Sequence, residues 1–148
     1  MKIRFAVMKD LDDLVMINVG DEKGYSHMNR RMLRTKVTEK QVLAAISDGR
    51  ISGLLYFVPE FLGRENIWYL EQVTVDKSYR RKGIGKALIT DFIKYAKSRQ
   101  ISKVFADVRL PNNASLRTCI SCGGKVAGSV RGLSKDKKDK RTIVRFDL

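Results

Sequence analysis

The chain has 148 residues, 43% hydrophobic and 31% charged, with 30 Lys and Arg against 16 Asp and Glu. That length buries a core without metals or disulfides, and the hydrophobic fraction excludes a disordered polycation. No run approaches the roughly 18 apolar residues of a membrane helix, and the formal charge of +14 points first to a polyanion. The first ten residues hold no long apolar segment, so no signal peptide is expected and the cytoplasm is the expected compartment.

Ile3–Ala6 alternates and predicts a first strand. Asp10 stands as the N-cap of a helix carrying Leu11, Leu14, Val15 and Val19 at helical spacing. Gly20–Tyr25 is polar and glycine-bounded, a loop, and residues 27–36 read as a short basic helix with Met28, Met32 and Leu33. Val42–Ile46 and Ile51–Val58 flank Asp48-Gly49, a two-residue hairpin signal. After a loop at Pro59–Glu65, Ile67–Val75 is rich in aromatic and β-branched residues and predicts a strand.

Residues 85–98 form the clearest helix, with Leu88, Ile89, Phe92, Ile93 and Ala96 as its apolar stripe. Lys103–Val108 is a further strand. Pro111-Asn112 opens a helix that runs to about Ser121 and stops at Gly123-Gly124. Lys125–Val130 and Thr142–Phe146 are strands around the charged loop Lys135–Arg141. The order β-α-α-β-β-β-α-β-α-β-β predicts an α/β (α+β) fold: one domain over residues 1–148, with a mixed central sheet of about six to seven strands and helices on both faces.

The charge is uneven along this order. Residues 1–76 hold 11 basic and 11 acidic side chains, whereas residues 77–103 hold nine basic ones against Asp91 alone. Residues 125–148 add eight basic and three acidic side chains. Such asymmetry marks a polyanion met by the second half of the chain, or a solvated basic surface serving solubility.

Between the aromatic strand and the clearest helix lies the basic stretch Lys77-Ser78-Tyr79-Arg80-Arg81-Lys82-Gly83-Ile84-Gly85-Lys86-Ala87. Glycine lets a backbone approach a ligand closely, and N–H groups at a helix start point outward without intrahelical partners, a nest for phosphate. The P-loop needs Lys-Ser/Thr after its last glycine, but Gly85 is followed by Lys86-Ala87; the Rossmann fingerprint needs a third glycine where Leu88 stands. A tight connection without ligand is the plain alternative.

Arg80-Arg81-Lys82-Gly83-Ile84-Gly85 matches the R/Q-x-x-G-x-G/A signature and resembles the GNAT N-acetyltransferase superfamily, whose turn binds the pyrophosphate of acetyl-CoA. Tyr69–Asp76 resembles that family's fourth strand, and Val108–Ser115 its V-x-x-x-N-x-x-A/S element. The resemblance implies acetyl-CoA as co-substrate, with no metal. It implies coenzyme contacts from Val73, Thr74 and Val75, from Arg80, Arg81, Lys82, Gly83, Ile84, Gly85, Lys86 and Ala87, and from Asn112 and Ser115. The fourth strand would splay from the fifth to admit the pantetheine, with an N–H near Val75 polarising the acetyl carbonyl.

Acetyl transfer needs a neutral amine, a polarised thioester, aligned reactants and a proton for the leaving thiolate. Strand alternation puts Tyr69, Glu71, Val73 and Val75 on one face. The Tyr-Leu-Glu opening is similar to that of spermidine/spermine acetyltransferases, which implies Glu71 as general base; a solvated strand carboxylate is the alternative. Where the family carries a tyrosine seven residues after its asparagine, this chain has Cys119, and Gly123-Gly124 replaces the usual Gly-Phe. The acid role then falls to Cys119, to water, or to Tyr25, Tyr56 or Tyr69. Cys119 and Cys122 have no second cysteine pair to complete a zinc site and end a helix rather than open one, and His27 is given no role.

The resemblance thus implies an N-acetyltransferase acting on a primary amine: a protein N-terminus, a lysine or a small molecule. Two other readings stay open, a nucleic-acid- or ribosome-associated member and an acyl-CoA-binding module without turnover. Asp21-Glu22 and Glu60…Glu65 hint at a cationic acceptor, no membrane partner is expected, and the chain is a monomer or homodimer. The coenzyme motif does not account for Lys135–Arg141.

Overall fold

The structure, a computed structural model, describes residues 1–19, 28–133 and 135–148; the expected loop Gly20–Tyr25, with Asp21-Glu22, and His27 lie outside the described residues. The elements follow the expected order: β1 (Lys2–Phe5), α1 (Leu11–Val19), α2 (Arg30–Thr38), β2 (Val42–Ser47), β3 (Arg50–Val58), β4 (Ile67–Val75), α3 (Ile84–Ser98), β5 (Lys103–Arg109), α4 (Asn113–Ser121), β6 (Lys125–Arg131) and β7 (Lys140–Asp147). This is an α/β fold with a seven-stranded mixed sheet, β4 and β5 parallel and the pairs β1–β2, β2–β3, β5–β7 and β6–β7 antiparallel. The residues gather in two compact units, Met1–Phe57 with Gln72–Phe92, and Val58–Glu71 with Ile93–Leu148. Strand order is β1-β2-β3-β4 in the first and β4-β5-β7-β6 in the second. Among the described residues no helix is long and apolar enough to cross a membrane.

In the first unit, β2 and β3 close through Asp48 and Gly49, both at positive φ (51° and 74°), the turn whose twist matches a hairpin. Helices α1 and α2 pack together over this sheet, burying Leu11, Leu14, Ile17, Leu33 and Val37 with Val42, Ala44, Leu54 and Tyr56. Helix α2 starts later than predicted because Asn29, in extended backbone, caps it by accepting from the Met32 N–H at 2.9 Å.

Asp10 is not the N-cap of α1. It ends a 3-10 turn, Met8–Asp10, that leads into the helix. Its carboxylate accepts from the Val7 N–H at 2.8 Å and from both Arg4 guanidinium nitrogens at 2.6 and 3.0 Å. The carboxylate thus serves the helical start one turn earlier, at Val7, while Arg4 from β1 neutralises its buried charge. The Arg4 pairing, first, and the Val7 N–H hold the Asp10 carboxyl below its ordinary range despite burial. This contribution is complete above the unfolded carboxylate pKa and disappears as pH falls through the lower folded value. Asp10→Asn is therefore expected to cost about 1–3 kcal/mol in urea unfolding at pH 7, and much less near pH 3.

In the second unit, β4 pairs with β5 only from Ile67↔Lys103 to Leu70↔Ala106. Strand β5 goes on beside β7 as far as Arg109↔Arg141, so its last three residues have a recorded strand partner on one side only. Trp68, Leu70, Val104, Ala106, Val144 and Phe146 form the buried layer, and α4 packs on β6 and β7. Strand β6 is the sheet edge, exposed along its whole length and bulged between Val126 and Gly128.

The charged loop ends sooner than predicted, since Lys140 and Arg141 belong to β7. Two buried carboxylates draw Arg141 in: its Nη1 lies 2.5 Å from Asp107 and its Nε 3.1 Å from Asp139. The other oxygen of Asp139 meets Arg109 Nε at 3.0 Å.

Candidate functional site

The basic turn lies within the first unit. Asp76, just after β4, shapes it: its side chain accepts from the Ser78 N–H at 2.8 Å, and its own N–H donates to the Ser52 carbonyl at 2.9 Å. After the 3-10 turn Lys77–Tyr79, Arg80 folds back and donates from Nε to the Val75 carbonyl at 3.1 Å. The backbone then turns through left-handed conformations at Arg81 (φ 61°) and Gly83 (φ 76°) and enters α3. The first bond of that helix runs from the Ala87 N–H to the Gly83 carbonyl, 3.0 Å. The N–H groups of Ile84 and Gly85 precede it and have no intrahelical acceptor.

Arg80, Arg81, Lys82 and Lys86 are exposed around this helix start, and the first turn of α3 holds no acid. Cations at the positive end of a helix have the wrong sign for its stability. The same arrangement suits an anion, which both the cations and the N–H groups attract. Lys82 is steadied over the Tyr79 ring, its Nζ 5.2 Å from the centroid.

The two glycines serve different needs. Gly83 is required by its positive φ. At Gly85 a Cβ would lie 3.8 and 3.9 Å from the side chains of Val75 and Val73, ordinary contact distances. The protein's own packing thus allows a side chain at Gly85, and its absence leaves the helix end open to a ligand. Open N–H groups, four cations and that bare position fit the pyrophosphate of a nucleotide-bearing coenzyme. Upstream, Thr74 is buried and accepts from the Gln72 amide at 3.1 Å, while Val73 and Val75 are half-buried.

Tyr69, Glu71, Asn112, Ser115 and Cys119 lie in the second unit. Tyr69 and Glu71 are half-buried, on the strand face opposite the buried Trp68 and Leu70, as the alternation predicts. The Tyr69 hydroxyl donates to Asp107, the carboxylate that Arg141 also holds, and its ring stacks on Phe61 at 5.2 Å. Asn112 caps α4 by accepting from the Ser115 N–H at 3.2 Å, so both residues of that motif are at the helix start.

Cys119 is buried, at 2% exposure, and burial, reinforced by Cys122, pushes its thiol up to about 11. Its carbonyl accepts from the N–H groups of Cys122 and Gly124 at 3.1 and 3.0 Å. A Cβ on Gly124 would stand 2.6 Å from Val144 Cγ1 and 2.9 Å from that carbonyl, so the chain has room only for glycine there. Tyr56 is buried as well, in the first unit, at 3%. Of the described acid candidates, Tyr69 is the half-buried one with its hydroxyl in a polar network. Tyr25 lies outside the described residues. The Arg109–Asp139–Arg141–Asp107 network is what sequence reasoning missed. Its one signal was that Asp107 and Asp139 are among only four acids in the basic stretch 104–148.

The sequence model of the acetyltransferase (GNAT) family matches residues 8–124. A glucosamine 6-phosphate N-acetyltransferase of Trypanosoma brucei brucei is 42% identical over 62 residues, 40% of this chain, and the match spans 42% of that relative's length. Among solved structures, the ribosomal-protein-alanine N-acetyltransferase of Brucella melitensis superposes with a TM-score of 0.86 at 23% identity, covering 100% of both chains. The yncA structure of Salmonella typhimurium, solved with acetyl-CoA as its cofactor, gives 0.85 at 21% identity, over 100% of this chain and 94% of the other. The likenesses to solved structures carry the fold.

Proposed function

The chain belongs to the acetyltransferase (GNAT) family, and on that premise we propose that it moves the acetyl group of acetyl-CoA to a primary amine, residues 1–148 working as one domain. The observation that carries this is the turn Arg80–Ala87, where a helix start gathers cations and keeps a bare glycine at a position its own packing would let a side chain fill. The coenzyme supplies the activated thioester. The turn binds its phosphates and Val73–Val75 its pantetheine arm, and the resemblance to the family motif adds Asn112 and Ser115 as coenzyme contacts. An N–H near Val75 donates to the thioester oxygen.

Glu71 takes the proton that an ammonium must lose before it can attack, since an amine near pKa 10 is almost wholly protonated at neutral pH. The proton for the leaving thiolate comes from water or from Tyr69, whose hydroxyl is already in a hydrogen-bonded network. Cys119, buried and holding its proton, packs between α4 and the sheet of its unit instead.

The acceptor is an amine on a protein N-terminus, a lysine or a small molecule. The Brucella and Trypanosoma proteins, by their names, act on an alanine of a ribosomal protein and on an amino sugar phosphate, both of them amines. A thiol-release screen over an alanine-starting peptide, glucosamine 6-phosphate, lysine and a polyamine tests the reading. Release above slow hydrolysis with at least one amine is expected. Coenzyme binding without release for any amine would favour the acyl-CoA-binding module, which the burial of Cys119 at the family's tyrosine position makes the second reading.

A further inference from the structure

The hairpin of β6 and β7 concentrates positive charge beyond anything its own folding requires. At its loop end Arg131 and Lys140 stand directly opposite each other, and the loop between them adds Lys135, Lys137 and Lys138. Like charges at paired positions destabilise a sheet, so this arrangement opposes local stability. At the surface of this segment Asp136 is the one exposed acid against these five cations. Asp139 is 7% exposed and turned inward to Arg109 and Arg141. Asp136 shapes the loop by accepting from the Lys138 N–H at 2.9 Å. No ion pair is recorded for Arg131, Lys135, Lys137, Lys138 or Lys140 among the described residues. Because neighbouring strand residues face opposite ways, Lys140 points away from the face on which Arg141 meets its buried carboxylates.

We propose that this hairpin end docks on the phosphate backbone of a double-stranded nucleic acid. Two observations favour a duplex over other anionic surfaces. Five clustered cations match a regular row of phosphates, each neutralised with release of a counterion. The only aromatic residue of 125–148 is Phe146, which is buried. The hairpin therefore offers no exposed aromatic ring as a stacking platform for unpaired bases or as an anchor in a membrane interface. Backbone contacts alone position a protein without reading sequence, so duplexes of unrelated sequence bind alike. The hairpin shares no residue with the Arg80–Ala87 turn, and the proposal does not depend on the acetyltransferase reading.

The test uses the full chain and a labelled 20-base-pair DNA duplex, with fluorescence anisotropy between 50 and 200 mM KCl. Five phosphate contacts at about 0.9 each give a slope of about −4 to −5 for log affinity against log salt. K135A/K137A/K138A is expected to lower the slope's magnitude by about 3 and to weaken binding at 50 mM at least about 10-fold. K9A/K97A/R99A removes the same charge from exposed sites elsewhere and is expected to stay within about 3-fold, slope unchanged. Equal loss in both variants would reduce the effect to net charge and overturn the proposal. So would tighter binding of vesicles with 30% phosphatidylserine than of the duplex, or a strong preference for a single strand. Amine-dependent thiol release by K135A/K137A/K138A, expected within about 2-fold of the parent, separates this outcome from failure of the catalytic reading.

Discussion

Gly85→Glu is expected to abolish acetyl-CoA binding while leaving the fold as stable as before, or more so. The two effects have opposite signs for separable reasons. A glutamate in the first turn of α3 complements the helix dipole and replaces the poor helix former glycine, together worth about 0.5–2 kcal/mol in favour of folding. The added Cβ meets Val73 and Val75 at ordinary contact distance, so packing does not resist it. The carboxylate, however, falls beside the N–H groups of Ile84 and Gly85 and takes the place of the coenzyme's phosphate. Losing two charge-assisted hydrogen bonds at about 1.5–3 kcal/mol each weakens binding by more than about 100-fold. Calorimetry with acetyl-CoA, beside thermal unfolding of the same variant, reads both. Undiminished binding would move the anion site away from this turn. Gly83→Glu is a poorer probe, because its positive φ strains any side chain there.

Glu71→Gln should lower turnover about 100-fold or more at neutral pH and close much of that gap in alkaline solution. The substitution keeps the shape of the side chain and removes only its capacity to take a proton. As pH approaches about 10 the acceptor amine loses its proton to solvent and needs the carboxylate less. The variant's rate therefore rises with pH more steeply than the parent's. Parallel pH profiles would assign Glu71 a role in shape or charge alone.

What the chain discloses by itself depends on how far apart the interacting residues are. The β2–β3 hairpin was legible because Asp48-Gly49 decides it locally, and α3 because Leu88, Ile89, Phe92 and Ala96 repeat at helical spacing. The basic turn is local too: Arg80 bonds a carbonyl five residues back, and Gly83 supplies its own backbone freedom. Asp10 was misread because its partner, Arg4, lies on a different element. Arg141 was assigned to a loop because Asp107, 34 residues earlier, can be recognised as its partner only once β5 and β7 are paired. The depth of Cys119 likewise follows from the packing of α4 on β7 and not from the neighbours it has in sequence.

Strand β6 bears on a different matter, the behaviour of many copies together. An edge strand offers a row of backbone donors and acceptors to any extended segment that drifts alongside. Here Val126 and Val130 add exposed apolar surface to that row. Lys125 and Arg131 at its two ends, and the bulge between Val126 and Gly128, make a second such strand a poor fit. Repulsion of that kind weakens as counterions accumulate, so concentrated salt removes a safeguard against aggregation that dilute buffer leaves in place.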